Sequence, residues 1–269
     1  MKIIMVGGDK RQLRIKNNLE KLGHYVHHIT SLDDLNIDFT LYDTVIFPLP
    51  TSRDGIYINN ALGKDKIKIT DITDNLETQK ILCGNFVFKD FEFTDYAQDE
   101  STAILNAVPT AEGAIAIAIE NTAFTVWKSK CLVVGNGKIG KALSERLKAL
   151  LADVTVSARR DTDFSYIESR GIKYIKTDEI EKNADEYNII FNTVPKQVLT
   201  KNVLKNCKSD CLLIELASSP YGIDFKAAED LKLKVILALG LPGKYAPNTA
   251  ADILTNSIVK NLNKETQKR

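Results

Sequence analysis

The stretch KCLVVGNGKIGKAL, residues 130–143, decides how the rest of the chain is read. An apolar run ends in Gly135, Gly137 and Gly140, spaced G-x-G-x-x-G, and passes into a helical pattern. In that setting the first glycine permits a tight turn, the second lets backbone approach a pyrophosphate, and the third lets helix and strand pack closely. Amides at the helix start then face the phosphates. Gly135, Asn136, Gly137, Lys138, Ile139 and Gly140 are therefore the expected pyrophosphate-binding residues. The alternative is a glycine turn with a purely structural purpose.

Downstream, short apolar runs alternate with amphipathic stretches: VTVSA (154–158), KYI (173–175), YNIIFNTV (187–194), CLLIEL (211–216) and KVILAL (234–239). Counting 130–135 they make six strands, as a doubly wound dinucleotide fold requires. The second strand ends in SARRD, where an acid would hold the ribose 2′-hydroxyl of NAD. Ser157, Ala158, Arg159 and Arg160 stand there instead, and a guanidinium suits a 2′-phosphate, so NADP is the expected cofactor. Two solvated arginines, with Asp161 on the ribose, are the other reading. Thr193, Val194 and Pro195 end the fourth strand and Ala217 follows the fifth, so these residues should border the nicotinamide.

About 130 residues precede the glycine loop. KIIMV (2–6), YVHHI (25–29), TVIFPL (44–49) and KIKIT (66–70) read as strands. Between the first two, Asp9 caps a helix whose face carries Ile15, Leu19 and Leu22, and Gly23 ends it. GNFVFKDFEFTDY (84–96) reads as a strand or an extended cover on a core edge. PTAEGAIAIAIENTAFTVW (109–127) reads as a closely packed helix with Thr110 as cap and Glu112 in its first turn. LGLPGKYAPNTA (239–250) reads as a rigid loop before a last helix over about 249–269.

The expected architecture is thus α/β, with two doubly wound parallel-sheet domains joined by long inter-domain helices. An N-terminal substrate-side domain covers 1–108, and a Rossmann domain covers 109–248. The last helix returns to the first domain. Length agrees, since 269 residues exceed one domain at roughly 100–200 residues each.

Lys and Arg total 36 against 35 Asp and Glu, so no global field recruits nucleic acid or anionic lipid. The N-terminal apolar run is too short for a signal peptide, and no run of about 18 apolar residues occurs. A cytoplasmic location without membrane contact is expected. Four cysteines without a CxxC pair read as structural thiols, with no metal site. The three histidines, His24, His27 and His28, all lie early, so a histidine acid/base has no candidate in the cofactor domain.

Arg11 and Arg53 follow the first and third strands, where two planar forks suit two carboxylates. Lys244 is a further cation for an anionic substrate, and two separate surface arginines plus a solvated lysine are the plain alternative. Taken together, GGDKRQ (7–12), NAVPTAEGAI (106–115), VVGNGKIGKAL (133–143), ELASSPYGID (215–224) and ALGLPGKYAPNTAADIL (238–254) resemble the dipicolinate synthase A-subunit family. More broadly, a TAEG helix leading into a Rossmann domain resembles formate/glycerate dehydrogenases and adenosylhomocysteinase.

The resemblance implies oxidation of a dihydro- or hydroxytetrahydro-dipicolinate, a branch of the lysine pathway, to pyridine-2,6-dicarboxylate with NADP during sporulation. It also implies a partner, the flavoprotein-like B-subunit of dipicolinate synthase. Arg11, Arg53 and Lys244 would then hold the carboxylates, and Thr110, Glu112, Ser218 and Ser219 would orient substrate or move a proton. Another NADP-dependent dehydrogenase of a small carboxylate on the same scaffold, or a non-catalytic NADP sensor, stays open at this stage, as does a homo-oligomer.

Overall fold

The computed structural model describes residues 1–263, so the end of the expected last helix, 264–269, lies outside the described residues. The chain divides into two compact units, one of Met1–Asn106 with the segment that begins at Ala246, the other of Ala107–Tyr245.

The first unit holds β1 (Lys2–Val6), α1 (Lys10–Lys21), β2 (Tyr25–Ile29), β3 (Thr44–Ile46), α2 (Thr70–Thr73), β4 (Lys80–Cys83), β5 (Phe93–Asp95) and the start of α3 (Glu100–Asn121). Its sheet has the order β2-β1-β3-β4-β5, and every pairing is parallel. Strands covered on both faces carry continuous apolar runs, and β1 buries Ile3, Ile4, Met5 and Val6 completely. Each such side chain contributes roughly 1.5–3 kcal/mol relative to exposure. Asp9 caps α1 by accepting from the Arg11 amide at 2.9 Å, and Gly23 follows with φ +84°. Ile15 and Leu19 are buried, whereas Leu22 is 58% exposed and lies off the expected face.

Two further expectations need correction here. KIKIT is not a strand: Ile67 and Ile69 point into the core, Lys68 forms an isolated antiparallel bridge with Tyr57, and α2 begins at Thr70. The Asp71 side chain, accepting from the Lys68 amide at 2.8 Å, starts that turn. The phenylalanine segment pairs only at Phe93–Asp95; the rest is an extended cover, with Phe88 5.1 Å from Phe47 and 5.0 Å from Phe86 between ring centroids.

The second unit holds the rest of α3, then β6 (Lys130–Val134), α4 (Lys138–Ala149), β7 (Asp153–Ala158), α5 (Asp161–Ser169), β8 (Lys173–Lys176), α6 (Ile180–Asn183), β9 (Ile189–Asn192), α7 (Lys201–Lys205), β10 (Leu212–Glu215), α8 (Phe225–Asp230), β11 (Lys234–Leu237) and α9 (Leu241–Tyr245). Its sheet, β11-β10-β9-β6-β7-β8, is parallel throughout and has the doubly wound dinucleotide-binding order. The chain reverses between β6 and β9. The last helix, α10 (Pro247–Asn263), packs on α1 in the first unit, where Arg14 Nε reaches Asp252 at 2.9 Å.

α3 starts ten residues earlier than Thr110, because the Asp99 carboxylate accepts from the Thr102 amide at 3.0 Å and caps it. Thr110 is therefore interior and buried rather than a cap, Glu112 is not in a first turn, and Pro109 sits inside the helix. α3 is long and apolar enough to cross a membrane by length and composition, yet 56% of its most apolar window is buried within the protein. The expected loop 239–250 instead contains α9 and the start of α10.

Candidate functional site

A cavity of about 550 Å³ opens in the second unit at the reversal between β6 and β9. Gly135, Asn136 and Gly137 form one wall. Ser157, Ala158, Arg159 and Arg160 form the second, and Thr193, Val194 and Pro195 form the third. The structure thus brings together ten of the residues singled out from three separate strand ends.

The local reasons are in the sequence. Gly135 adopts φ +99°, and its amide donates to the Ser157 carbonyl at 3.0 Å, which aims the chain into the turn. A Cβ on Gly140 would strike the Gly135 carbonyl, so the helix packs against the turn only with glycine there. Gly137 caps α4 without a side-chain acceptor, leaving first-turn amides at Lys138 and Ile139 unclaimed by any cap. Thr193 Oγ1 donates to the Val134 carbonyl at 2.8 Å and holds the β9 end against β6.

Arg159 is exposed at the rim. Arg160 is engaged: its Nε donates to Asp163 Oδ2 at 2.8 Å, while Asn136 Nδ2 reaches Asp163 Oδ1 at 3.1 Å. The Arg160 hydrogen bond holds the Asp163 carboxyl below its ordinary value, against an upward push from burial and with help from Asn136. Asp163, Thr177, Lys196 and Val198 also line the cavity and were not singled out from sequence. Only Asp163 had a usable signal, standing i+3 from Arg160 at a helix start.

Beneath the site lies a second element missed in sequence. Glu215, wholly buried, accepts from Asn192 Nδ2 at 2.7 Å and from the amides of Ala217, Gly222 and Ile223 at 2.9, 2.8 and 3.0 Å. Asn192 Nδ2 also donates to the Val194 carbonyl at 3.0 Å. One carboxylate thereby fixes the loops after β9 and β10. Ala217 is held underneath, while Ser218 and Ser219 are exposed in the β10 loop, and none of the three lines the cavity.

The remaining candidates stand elsewhere. Glu112 pairs with Arg146 at 3.4 Å in a hollow with Ile115, Ala149 and Leu150 that shares no residue with the cavity. Lys244 is exposed on α9, its Nζ 5.2 Å from the Tyr245 ring centre. In the first unit Arg53 is exposed beside Tyr57, Asn59 and Asn60. Arg11 is not a free fork. It is buried, bonded to Asp9 at 2.8 Å, and donates from Nη2 to the Leu49 carbonyl. Burial pushes the Asp9 carboxyl up, but the bonds and charge of Arg11 outweigh it and hold it below its usual value.

The residues present fit a dinucleotide. Ser157 Oγ is wholly buried, lines the cavity and has no hydrogen-bond partner among the described residues, which is the condition of a hydroxyl awaiting a ligand.

Comparison with known proteins agrees with this division. Residues 2–105 match the family described as the N-terminal domain of the dipicolinate synthase A-subunit, and residues 123–228 match "Putative NAD(P)-binding". The dipicolinate synthase A-subunit of Bacillus subtilis (strain 168) is 30% identical over 97% of this chain and 96% of its own. The crystal structure of the dipicolinate synthase A-subunit from Bacillus halodurans superposes with a TM-score of 0.90 at 27% identity, covering 97% of each chain. A transhydrogenase from Sinorhizobium meliloti shares the fold, with a TM-score of 0.70 at 15% identity over 97% of this chain and 93% of that one. The second unit is a nicotinamide-dinucleotide-binding domain, and with relatives matching it from end to end the chain belongs to the dipicolinate synthase A-subunit family.

Proposed function

We propose that the chain is an NADP-dependent dehydrogenase that oxidises dihydro- or hydroxytetrahydro-dipicolinate to dipicolinate. The observation that carries this reading is a dinucleotide cavity with Arg159 at its rim, in a chain related over 97% of its length to the A-subunit of a dipicolinate synthase. NADP, when bound, supplies the hydride acceptor. The substrate loses that hydride and a proton, after loss of water in the hydroxylated form.

The protein has to position and to bind. Gly135–Gly140 and the α4 amides would hold the pyrophosphate, and Ser157 Oγ with Ala158 the ribose. Arg159 is the group for the 2′-phosphate, since Arg160 is bound to Asp163. Thr193, Val194, Pro195 and Ala217 would border the nicotinamide, on loops kept rigid by Glu215 and Asn192. Arg53, Lys244, Ser218 and Ser219 are our candidates for the carboxylates, with Thr110 as an orienting group. Arg11 braces its loop, and Glu112 is occupied by Arg146. The Bacillus subtilis relative is named as one of two kinds of chain in its synthase, which supports a companion, the flavoprotein-like B-subunit. Four free thiols suit the cytoplasm.

The test is formation of NADPH by the full chain with freshly generated hydroxytetrahydrodipicolinate, with and without the B-subunit. Turnover with NADP supports the reading. No NADPH when the companion is present overturns it.

A further inference from the structure

The first unit contains a polar group that neither its fold nor its proposed carboxylate-binding cations explain. Gln12 is 1% exposed, and neither its Nε2 nor its Oε1 has a hydrogen-bond partner among the described residues. A carboxamide offers two donors and two acceptor lone pairs, and a dry one is a standing cost to the folded state. Methionine would fill the same volume without it.

Its surroundings make room for that amide. Gln12 lies in the first turn of α1, over Gly8, and a Cβ on Gly8 would come 2.5–2.7 Å from the Gln12 side chain. Gly8 has φ +93°, a region glycine enters without strain. Its backbone is locked to the facing segment: the amide donates to the Asn59 carbonyl at 2.6 Å, and the carbonyl accepts from the Ala61 amide at 2.8 Å. The carboxamide is therefore held against a fixed wall.

Its place in the fold is the second observation. In the order β2-β1-β3-β4-β5 the chain leaves β1 towards β2 on one side and towards β3 on the other. Open α/β sheets take ligands at such a reversal, at the strand carboxyl ends. The loops there are Gly7–Asp9 and the segment after β3, tied together by Arg11 Nη2 on the Leu49 carbonyl. Gln12 is the unsatisfied polar group of this switch point.

We infer that Gln12 is a substrate-specificity residue, whose Nε2 donates to a ring carboxylate and whose Oε1 accepts from an N–H or O–H next to it. This rests on the reading of the substrate as a nitrogen-ring dicarboxylate, in which a ring nitrogen stands beside each carboxylate-bearing carbon. Asp9, the nearest carboxylate in the sequence, is neutralised by Arg11 and leaves the approach of an anion open.

The experiment uses the full chain with NADP present, and two probes titrated by calorimetry: dipicolinate, whose ring nitrogen has no proton, and piperidine-2,6-dicarboxylate, whose ring nitrogen carries N–H. In Gln12→Met, dipicolinate affinity falls about tenfold for one lost hydrogen bond to a charged group. The piperidine compound loses more, so the ratio between the probes shrinks. The melting temperature without ligand stays level or rises, and NADP affinity is unchanged. Should Gln12→Met fail to fold, Gln12→Glu keeps the shape and replaces the donor with a negative charge; it must bind dipicolinate at least as poorly. Unchanged affinities and an unchanged ratio in the folded variant overturn the inference alone, as does a lowered melting temperature with wild-type binding. A wild-type chain that binds neither probe overturns the inference, and one that also forms no NADPH overturns the substrate reading with it.

Discussion

Asn192 Nδ2 lies 2.7 Å from Glu215 Oε1, and both residues are wholly buried at the ends of neighbouring strands. Glu215→Gln keeps the shape but turns an NH₂ towards two of the four donors that the carboxylate serves. Two unpaired donors at roughly 1–3 kcal/mol each predict a stability loss of about 2–5 kcal/mol. The melting temperature should fall by several degrees and NADP should bind more weakly, as the loops at Val194 and Gly222 lose their common anchor. Thermal unfolding and cofactor titration check this. A variant with wild-type melting and affinity would show that the network is dispensable.

At the other edge of the cavity the two arginines should behave differently. Arg159→Glu should turn the preference from NADP towards NAD, by roughly 10- to 100-fold for one charge-assisted pair. Arg160→Glu should do less, because its guanidinium already serves Asp163 at 2.8 Å. Cofactor titrations with both dinucleotides decide it. Equal effects would mean that Arg160 leaves Asp163 to meet the phosphate.

Much of this was legible because local and global signals coincide in the second unit. The glycine spacing, the six apolar runs and the SARR end state the sheet order and three walls of the cavity before any coordinates. The first unit was less legible because its apolar runs do two things. Ile67 and Ile69 alternate like a strand, yet they plug a core from a loop. The start of α3 was missed because Thr110 and Glu112 imitate a helix beginning, while Asp99 supplies the real one. Glu215 could not be found by periodicity at all. Nothing in CLLIEL says that its last acid will be enclosed by four donors, since these come from loops folded back over it.

The glycines of the loop separate folding from binding. A Cβ on Gly137 meets nothing within 4 Å, whereas one on Gly140 meets the Gly135 carbonyl. Gly137→Ala should melt like the wild type and lose NADP affinity about tenfold or more, because the methyl group intrudes where the pyrophosphate approaches. Gly140→Ala should lose stability even without cofactor, as α4 is pushed off β6. If Gly137→Ala binds NADP normally, the loop is a structural turn and the cofactor assignment loses its base.

Thiol reactivity tests the environment of each cysteine. Burial pushes the Cys83 thiol up to about 12 and the Cys131 thiol up to about 11. Cys211 is likewise raised, first by its hydrogen bond with Cys207 and then by burial, while the same bond lowers Cys207, which is only half-buried. The thiolate is the nucleophile, so at about pH 8 only Cys207 combines access with a useful ionised fraction. Iodoacetamide should add one group per native chain, faster as pH rises through the Cys207 titration, and four in denaturant. Cys207→Ser should abolish the fast adduct. A second native adduct of equal rate would place Cys83, Cys131 or Cys211 within reach of solvent and contradict the packing of the core around them.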